Sequence, residues 1–251
     1  MIECRGVFKA FGGVVANNDI SVDVPEGRIT GLIGPNGSGK TTLFKSIVGH
    51  HRIVSGSIRF AGRDISKLRV QQTARLGVLR TFQKTRIYGR MNCIDNMLIS
   101  VRHRKATVAD MFRSYPAVVT ERAEKLLEFT DLSSQRKLIA GDLSFGQQKL
   151  LEFAMALMNE PRVLLLDEPT AGINPTLING LIDRLKRAAS VFGVTLFIIE
   201  HNMPVIMNLA DNVYCLASGR VLAHGTPQEI QNDERVIKAY LGGHYAVGEN
   251  R

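Results

Sequence analysis

A glycine-rich segment at 34–42 has the residue types and the spacing of a phosphate-binding loop. It reads GPNGSGKTT, which fits G-x-x-x-x-G-K-[ST], and it lies between the apolar run ITGLI and a predicted helix. Glycines let the backbone wrap around phosphates with its amides inward, and Lys40 would bring a point charge to the β- and γ-phosphates. A glycine-rich turn without a ligand would not explain the strand–loop–helix context. We therefore predict that a nucleotide is bound by Gly34, Pro35, Asn36, Gly37, Ser38, Gly39, Lys40, Thr41 and Thr42.

Two carboxylates follow an apolar run at 163–168, VLLLDE. A buried parallel strand would place Asp167 and Glu168 at its C-terminal edge, beside the phosphate loop. Asp167 would hold Mg²⁺ directly or through water, together with the Thr41 hydroxyl. Glu168 would orient and deprotonate the attacking water. This pair predicts a hydrolase rather than a protein that only binds nucleotide.

Three further residues could complete the site, although each has an ordinary alternative. His201, in IIEHN, could donate to a γ-phosphate or to the water, or it could be a surface histidine at a strand end. Gln83, in TFQ, could add its amide oxygen to the Mg²⁺ shell. Phe11, which precedes two glycines, could stack on an adenine or belong to the core.

The segment DLSFGQQ, at 142–148, predicts a helix start that meets an anion. Ser144 followed three residues later by Gln147 is a capping box, in which each side chain bonds the other residue's backbone amide. Apolar residues then recur at helical spacing as far as Pro161. Gly146 is the small residue of the first turn, where free amides and the positive dipole end attract negative charge. These residues alone do not identify the anion.

Strands and helices that alternate along the chain must position these motifs. The predicted strands are SVDV, RITGLIG, SGSIRF, VLRTF, RVLLLDE, VTLFIIEH and NVYCLASGRVLAHG. Helices are predicted at 39–48, after Ser144, at 175–191 and after His201. From 84 to 142, CIDNMLISVRH and VVTERAEKLLEFTDL predict amphipathic helices with no strand between them. We expect an α/β fold with a mainly parallel, doubly covered sheet and a helical insertion.

Composition and charge narrow the classes of protein. The 251 residues are 45% apolar and contain no run of roughly 18 apolar residues and no signal-peptide pattern, which predicts a cytoplasmic protein. Three scattered cysteines without a CxxC indicate neither a disulfide framework nor a zinc site. The net charge of +9 favours a nucleotide, a nucleic acid or an anionic membrane face, or simply a solvated surface. Because the basic residues are spread along the chain, we expect no nucleic-acid partner.

The order of the motifs resembles that of the ATP-binding-cassette (ABC) ATPases. A phosphate loop, Gln83, LSFGQ, VLLLDE and His201 follow one another over nearly the whole chain. The resemblance implies one P-loop ATPase domain, with a catalytic core and an antiparallel β portion at 1–83 and 143–251 and an α-helical subdomain at 84–142. The implied cofactors are ATP and Mg²⁺, with the metal held by Thr41, Gln83 and Asp167.

The resemblance also implies which anion the LSFGQ helix start meets. In this family it faces the γ-phosphate of ATP held by a partner subunit, so the partner's nucleotide would be contacted by Ser144, Phe145, Gly146 and Gln147. Two cassettes then enclose two ATP molecules head to tail, and hydrolysis opens the pair by removing the γ-phosphate contacts. Two residues depart from the family pattern. Phe145 stands at the third position of LSGGQ and crowds the helix start, and Asn174 stands where many relatives have Asp.

More narrowly, the chain is similar to the branched-chain amino acid import ATPases, in segments such as LSFGQQKLLEFAMALMNEP, DEPTAGINP and GRVLAHGTPQEIQNDERVIKAYLG. The resemblance implies a peripheral energy-coupling subunit on the cytoplasmic face of the inner membrane. Its partners would be a second cassette, identical or different, permease subunits that dock on the helical subdomain, and an extracytoplasmic substrate-binding protein. Similar sequence segments occur in importers of urea or short amides and in the ATPase of lipopolysaccharide export. Both classes stay open as alternatives.

Two other classes agree less well with the sequence. Soluble ABC ATPases that act on DNA carry a long coiled coil, whereas this insert is only about 60 residues without sustained heptads. Those that act on ribosomes usually carry two cassettes in one chain. A P-loop kinase would not account for Glu168 or for the capped LSFGQ helix. Phosphate release without an acceptor would separate either kind of ATPase from a kinase.

Overall fold

The computed structural model describes residues 1–81, 87–101 and 115–245. Its strands are β1 Ile2–Phe11, β2 Val14–Val24, β3 Ile29–Ile33, β4 Ser55–Phe60, β5 Arg63–Asp64, β6 Val78–Arg80, β7 Val163–Asp167, β8 Thr195–Ile199, β9 Asn212–Ala217 and β10 Arg220–Gly225. Its helices are α1 Lys40–Ile47, α2 Val70–Arg75, α3 Cys93–Ile99, α4 Ala117–Phe129, α5 Phe145–Leu157, α6 Pro175–Phe192, α7 Met203–Leu209, α8 Pro227–Asn232 and α9 Glu234–Tyr245. The contacts define a first compact unit, Met1–Arg80, Arg162–Pro169 and Leu185–Arg251, and a second, Thr81–Pro161 and Thr170–Arg184.

A six-stranded sheet in the first unit has the order β10-β9-β3-β8-β7-β6. Its neighbouring strands are parallel except for β9 and β10, which form an antiparallel hairpin. Every residue of β3, β7 and β8 is buried, as expected for apolar strands covered on both faces. The predicted mainly parallel sheet is thus confirmed. Its topology brings the segments that follow β3, β7 and β8 to one edge of the sheet.

A buried aromatic pair anchors α1 to this sheet. The rings of Phe44 in α1 and Phe197 in β8 are tilted against each other with centroids 4.8 Å apart, and both side chains are fully buried. Burial of one such side chain contributes about 1.5–3 kcal/mol to stability. Leu43 and Ile47 belong to the same buried cluster. The start of α1, and with it the end of the phosphate loop, is therefore fixed against β8.

A separate four-stranded sheet, with the order β2-β1-β4-β5, forms the antiparallel β portion that was expected near the N-terminus. The predicted strand SVDV proves to be only the end of β2, which begins at Val14. The preceding residues Asn17, Asn18 and Asp19 have turn-forming side chains, yet the strand passes through them. Asp19 takes φ +59° where the β1–β2 register shifts, so a bulge accommodates the turn-like residue inside the strand.

The second unit contains the predicted helices α3 and α4, followed by α5. Asn92 caps α3 by accepting the Asp95 N–H at 2.8 Å. The apolar faces bury Met97 of α3 together with Leu127 of α4. The helix predicted from CIDNMLISVRH ends at Ile99, earlier than its apolar pattern indicated. The second unit and the predicted insertion at 84–142 overlap without coinciding, because α5 and the first part of α6 also belong to this unit, so the insertion's bounds stay a prediction.

Candidate nucleotide site

The phosphate loop leads from the buried strand β3 to Lys40, the first residue of α1. Gly39 precedes the helix with φ +101°, and a Cβ at Gly39 would lie 2.2 Å from the carbonyl oxygen of Ala16. Only glycine tolerates this left-handed backbone together with so close an approach. No side chain caps the helix start, so the first amides of α1 point into the loop, where an anion would bind.

Lys40 is held inside the loop by the loop's own oxygen atoms. Its Nζ donates to the carbonyl oxygens of Gly34 at 2.7 Å and Pro35 at 2.9 Å, and the side chain is 6% exposed. Burial lowers the pKa of Lys40 below its ordinary value, while the charges of Glu168 and Asp167 act in the opposite direction. The ammonium group is thus desolvated and lies within electrostatic reach of both carboxylates.

Asp167, the last residue of β7, forms a buried ion pair with Arg80. Asp167 Oδ2 lies 2.5 Å from Arg80 Nη2, at the end of the neighbouring strand β6. The side chains are 2% and 9% exposed, respectively. Two buried charges are tolerated only when they are paired, so Arg80 balances the carboxylate that is predicted to bind Mg²⁺. The sequence analysis missed this arginine.

Glu168 and His201 meet just beyond the ends of the adjacent strands β7 and β8. His201 Nε2 donates to Glu168 Oε1 at 2.9 Å. The Glu168 N–H donates to the carbonyl oxygen of Ile199 at 2.9 Å, and φ of Glu168 is +52°. A left-handed backbone at a residue other than glycine costs energy and is found mainly where function requires it. The structure thus brings together the two residues that are predicted to act on the attacking water.

The oxygen donors beside the loop fit Mg²⁺, which prefers hard oxygen ligands. Thr41 supplies a hydroxyl at the second residue of α1, and Asp167 supplies a carboxylate at the end of β7. Both are hard donors of the kind found around Mg²⁺ in nucleotide sites. Gln83, the third predicted ligand, lies outside the described residues.

Phe11, at the end of β1, is 44% exposed, which excludes the alternative of a core phenylalanine. Lys9 Nζ lies 4.7 Å from the centroid of its ring, and the His51 ring meets it edge to face at 5.0 Å. An exposed aromatic ring beside the Lys9 ammonium group suits an electron-rich purine. Adenine stacking on Phe11 stays a prediction.

Tyr240 in α9 contacts the first residue of the phosphate loop. The Gly34 N–H donates to the Tyr240 hydroxyl at 2.8 Å. The ring packs against the buried cluster that contains Ile33 and Val236. Burial raises the pKa of Tyr240 to about 12, so the hydroxyl stays neutral at physiological pH. Tyr240, near the end of the described chain, thus supports the phosphate loop at its first residue.

The LSFGQ segment lies in the second unit, where the predicted capping box is confirmed. The Gln147 N–H donates to Ser144 Oγ at 3.3 Å, and the Ser144 N–H donates to Gln147 Oε1 at 3.0 Å. α5 therefore begins at Phe145, whose side chain is 46% exposed, while Gly146 is buried.

Asn174 accepts from both the N–H and the hydroxyl of Thr176, at 3.1 Å and 2.9 Å. The side-chain amide oxygen of Asn174 thus caps the start of α6.

The structure thus separates the predicted residues into two groups. Lys40, Asp167, Glu168 and His201 lie in the first unit, and the 144–147 segment lies in the second. Sequence reasoning missed Arg80 and Tyr240. Their only local signals are an arginine at the end of a short apolar strand and a tyrosine in a helical tail, and both signals are common.

Comparisons with known families and proteins agree with this geometry. The family model described as "ABC transporter" matches residues 17–171, and the model described as "Branched-chain amino acid ATP-binding cassette transporter" matches residues 220–246. The high-affinity branched-chain amino acid transport ATP-binding protein BraF of Pseudomonas aeruginosa is 37% identical over 250 residues, covering 96% of this chain and 98% of its own. The corresponding LivG protein of Escherichia coli is 34% identical over 249 residues, with the same coverage.

Solved structures give the same result for the fold. An ATP-binding cassette of an ABC transporter in its ADP conformation superimposes with a TM-score of 0.87 at 31% identity, covering 96% of this chain and 98% of that chain. A nucleotide-free cassette from an ABC transporter gives a TM-score of 0.85 at 30% identity, with the same coverage. The similarity therefore spans both the phosphate-loop unit and the unit that carries LSFGQ.

Proposed function

The chain belongs to the ABC transporter family, and from this premise we propose that it is the ATP-hydrolysing subunit of an importer of branched-chain amino acids. The substrate class rests on relatives from branched-chain amino acid transport whose similarity covers 96% of this chain. The family model matched at residues 220–246 supports the same class. Importers of amides or urea are the second candidate. The relatives named above give no support to lipopolysaccharide export or to a soluble ATPase that does not transport.

Nucleotide binding changes the partners of Lys40. The ammonium group exchanges the carbonyl oxygens of Gly34 and Pro35 for the more strongly charged oxygens of the β- and γ-phosphates. The amides at the start of α1 bind the same phosphates. Thr41, Asp167 and Gln83 would hold Mg²⁺, which would neutralise part of the phosphate charge. Arg80 pairs with the buried Asp167 carboxylate and balances its charge.

Hydrolysis requires a water aimed at the γ-phosphate and a base that takes its proton. Glu168 accepts that proton, because its carboxylate lies at the end of β7 beside the phosphate loop. His201 donates to one oxygen of the Glu168 carboxylate. The hydrogen bond from the Glu168 N–H to the Ile199 carbonyl oxygen fixes the backbone of Glu168. The carboxylate is thus oriented before the water arrives, and less reorganisation is needed in the transition state.

A second cassette completes the site in this proposal. The segment Ser144, Phe145, Gly146 and Gln147 would meet the γ-phosphate held by the partner's phosphate loop. The support in this chain is the capped helix start of α5, whose amides and dipole attract an anion. Because the contact depends on the γ-phosphate, ATP closes the pair of cassettes and hydrolysis releases it. The partner cassette is either a second copy or a similar chain.

Separate permease subunits form the path across the membrane in this proposal. Within the described ranges, no helix is long and apolar enough to cross a bilayer. We place the chain on the cytoplasmic face of the inner membrane, with permeases docked on the helical subdomain and with a substrate-binding protein outside. The charge of +9 suits an anionic membrane surface.

Uptake measurements test the proposed substrate. In the native host, a strain that lacks the chain is complemented with the wild type or with Glu168→Gln, and uptake of radiolabelled leucine and urea is followed. We expect the wild type to restore leucine uptake and the variant to leave it at the level of the deletion strain. Restoration of urea uptake alone would assign the chain to the second candidate class. Uptake of both solutes that is independent of the chain would contradict the proposal.

A further inference from the structure

The departure at Phe145 has a partner within the same chain. The ring lies against Gly172, in the loop formed by residues 170–174, which we call the 170–174 loop. A Cβ at Gly172 would lie 2.9 Å from Phe145 Cε1 and 3.5 Å from Cδ1 and Cζ. The ring therefore occupies the space that any larger residue at position 172 would need.

Gly172 meets this contact through its backbone as well. Its φ is +75°, in the left-handed region that favours glycine. Gly172 thus suits this contact for two reasons, because its backbone is left-handed and because it has no Cβ to clash with the Phe145 ring. The Phe145 ring thus packs against a loop residue that has no side chain of its own.

The two ends of the 170–174 loop are fixed by hydrogen bonds. The Ile173 N–H donates to the carbonyl oxygen of Thr170 at 3.1 Å, and the Ile173 side chain is 8% exposed. Asn174 caps α6 through Thr176, as described above, and its carbonyl oxygen accepts the Leu177 N–H at 2.8 Å. Phe145 covers the middle of the loop, which these bonds leave unsupported.

A second contact joins the starts of α5 and α6. A Cβ at Gly146 would lie 3.1 Å from Leu177 Cδ1 and 3.7 Å from Ile173 Cγ2. Lys149 Nζ lies 5.7 Å from the centroid of the Phe145 ring, a distance at which a cation is attracted to an aromatic face. The first turn of α5 is therefore packed against the loop and α6 at two consecutive residues.

We propose that Phe145 is a positioning residue that fixes the 170–174 loop to the start of α5, so that the loop and the 144–147 segment face the partner cassette as one block. This inference rests on the proposed pairing of two cassettes. The aromatic residue then connects the 170–174 loop to the 144–147 segment, which would meet the partner's nucleotide. The competing explanation is a surface aromatic that is merely tolerated at the helix start.

A double-mutant cycle on Phe145→Ala and Gly172→Ala tests the contact in the monomer. The readout is amide hydrogen exchange of the peptide that contains Ile173. We expect Phe145→Ala to speed this exchange about tenfold, as for the loss of one local contact. Gly172→Ala should also speed exchange, through the clash with the ring and through backbone strain. Only the strain persists in the double variant, so the two effects should not multiply.

Three comparisons sharpen this cycle. Phe145→Tyr keeps the ring and should keep the slow exchange. Phe192→Ala removes another half-exposed phenylalanine, at the far end of α6, and should leave the exchange at 170–174 unchanged. Unchanged exchange in Phe145→Ala, or effects that multiply fully in the double variant, would overturn the inference.

The same variants in the Glu168→Gln background separate this inference from the proposed function. With ATP and the co-purified partner cassette, we expect Phe145→Ala to weaken dimerisation about tenfold while ATP binding by the monomer stays within twofold. If Glu168→Gln itself forms no ATP-dependent dimer, the proposed pairing fails, and the exchange data still decide whether Phe145 holds the loop. If the dimer forms equally well with Phe145→Ala, the positioning role is refuted and the pairing stands.

Discussion

Single residues of the first unit keep buried charges in place around the predicted phosphate site. Lys40 bonds the loop carbonyls, Arg80 neutralises Asp167, and His201 holds Glu168. Each of these groups is desolvated to some degree, so its interactions are stronger than they would be in water. The consequence is that removing one partner leaves the other in an unfavourable environment. Arg80 and Asp167 are the most buried of these pairs and should respond most strongly.

Arg80→Met removes the positive member of the pair and leaves Asp167 buried without a counter-charge. We expect the free energy of unfolding to fall by about 3–5 kcal/mol, the usual cost of breaking a buried ion pair. Urea unfolding measures this change. Arg28→Met is a matched control, because Arg28 pairs with Asp211 at 3.4 Å with side chains that are 64% and 42% exposed. The control should lose less than about 1 kcal/mol, and equal losses in both variants would contradict the argument.

Residues inside a contiguous motif could be predicted, and residues that reach the site from elsewhere could not. Lys40 and Thr41 belong to a loop whose spacing specifies its chemistry, and Glu168 ends an apolar strand. Arg80 lies on β6, which precedes β7 in the chain by more than 80 residues. Its relation to Asp167 depends on the order of the strands in the sheet, which local patterns do not contain. The contact between Tyr240 and Gly34 could not be predicted for the same reason, because the two residues are far apart in the chain.

Elements support the phosphate loop at both of its ends. α1 is anchored to β8 by Phe44 and Phe197, and α9 supplies Tyr240 to the Gly34 N–H. The loop itself consists largely of small residues with few side-chain contacts of their own. Its shape before nucleotide binds therefore depends on these flanking elements, and a defined shape reduces the ordering cost of binding.

Tyr240→Phe tests the support that α9 gives to the loop. The variant keeps the buried ring and leaves the Gly34 N–H without its acceptor. We expect ATP to bind about three- to tenfold more weakly, in line with the loss of one hydrogen bond of about 1 kcal/mol. Equilibrium binding of a fluorescent ATP analogue gives the affinity.

Tyr214→Phe is the matched control for this variant. The Tyr214 hydroxyl also accepts a backbone N–H, that of Asp23 at 3.1 Å, and it has no bond to the phosphate loop. Both variants should lose similar stability, while only Tyr240→Phe should lose affinity for ATP. A loss of affinity that is equal in the two variants would mean that α9 contributes general stability alone.

The type of most elements followed from the hydrophobic pattern, whereas their ends did not. β3, β7 and β8 are uninterrupted apolar runs, which indicate strands covered on both faces. β2 was underestimated because its Asn and Asp residues are typical of turns, and a bulge at Asp19 overrides that preference. The contact between Phe145 and Gly172 could not be foreseen either, because it joins the start of α5 to a loop that follows β7.

At the scale of the whole molecule, the two units carry complementary halves of the proposed nucleotide site. The first unit has the phosphate loop with its carboxylates, and the second has the capped helix start and the 170–174 loop. In a pair of cassettes, each chain would use its first unit for its own ATP and its second unit for the partner's ATP. Closure would then require ATP on the chain and a correctly positioned second unit on its partner, and the permeases would receive the resulting motion.

The most direct test of this account is the rate of ATP hydrolysis by Glu168→Gln at saturating ATP, measured beside the equilibrium affinity for ATP. The amide cannot accept the proton of the attacking water, although it preserves the size of the side chain. We predict that hydrolysis falls by about 10²–10⁴-fold, the contribution typical of a general base, and that ATP affinity stays within about twofold. Turnover at the wild-type rate with intact binding would show that Glu168 is not the base.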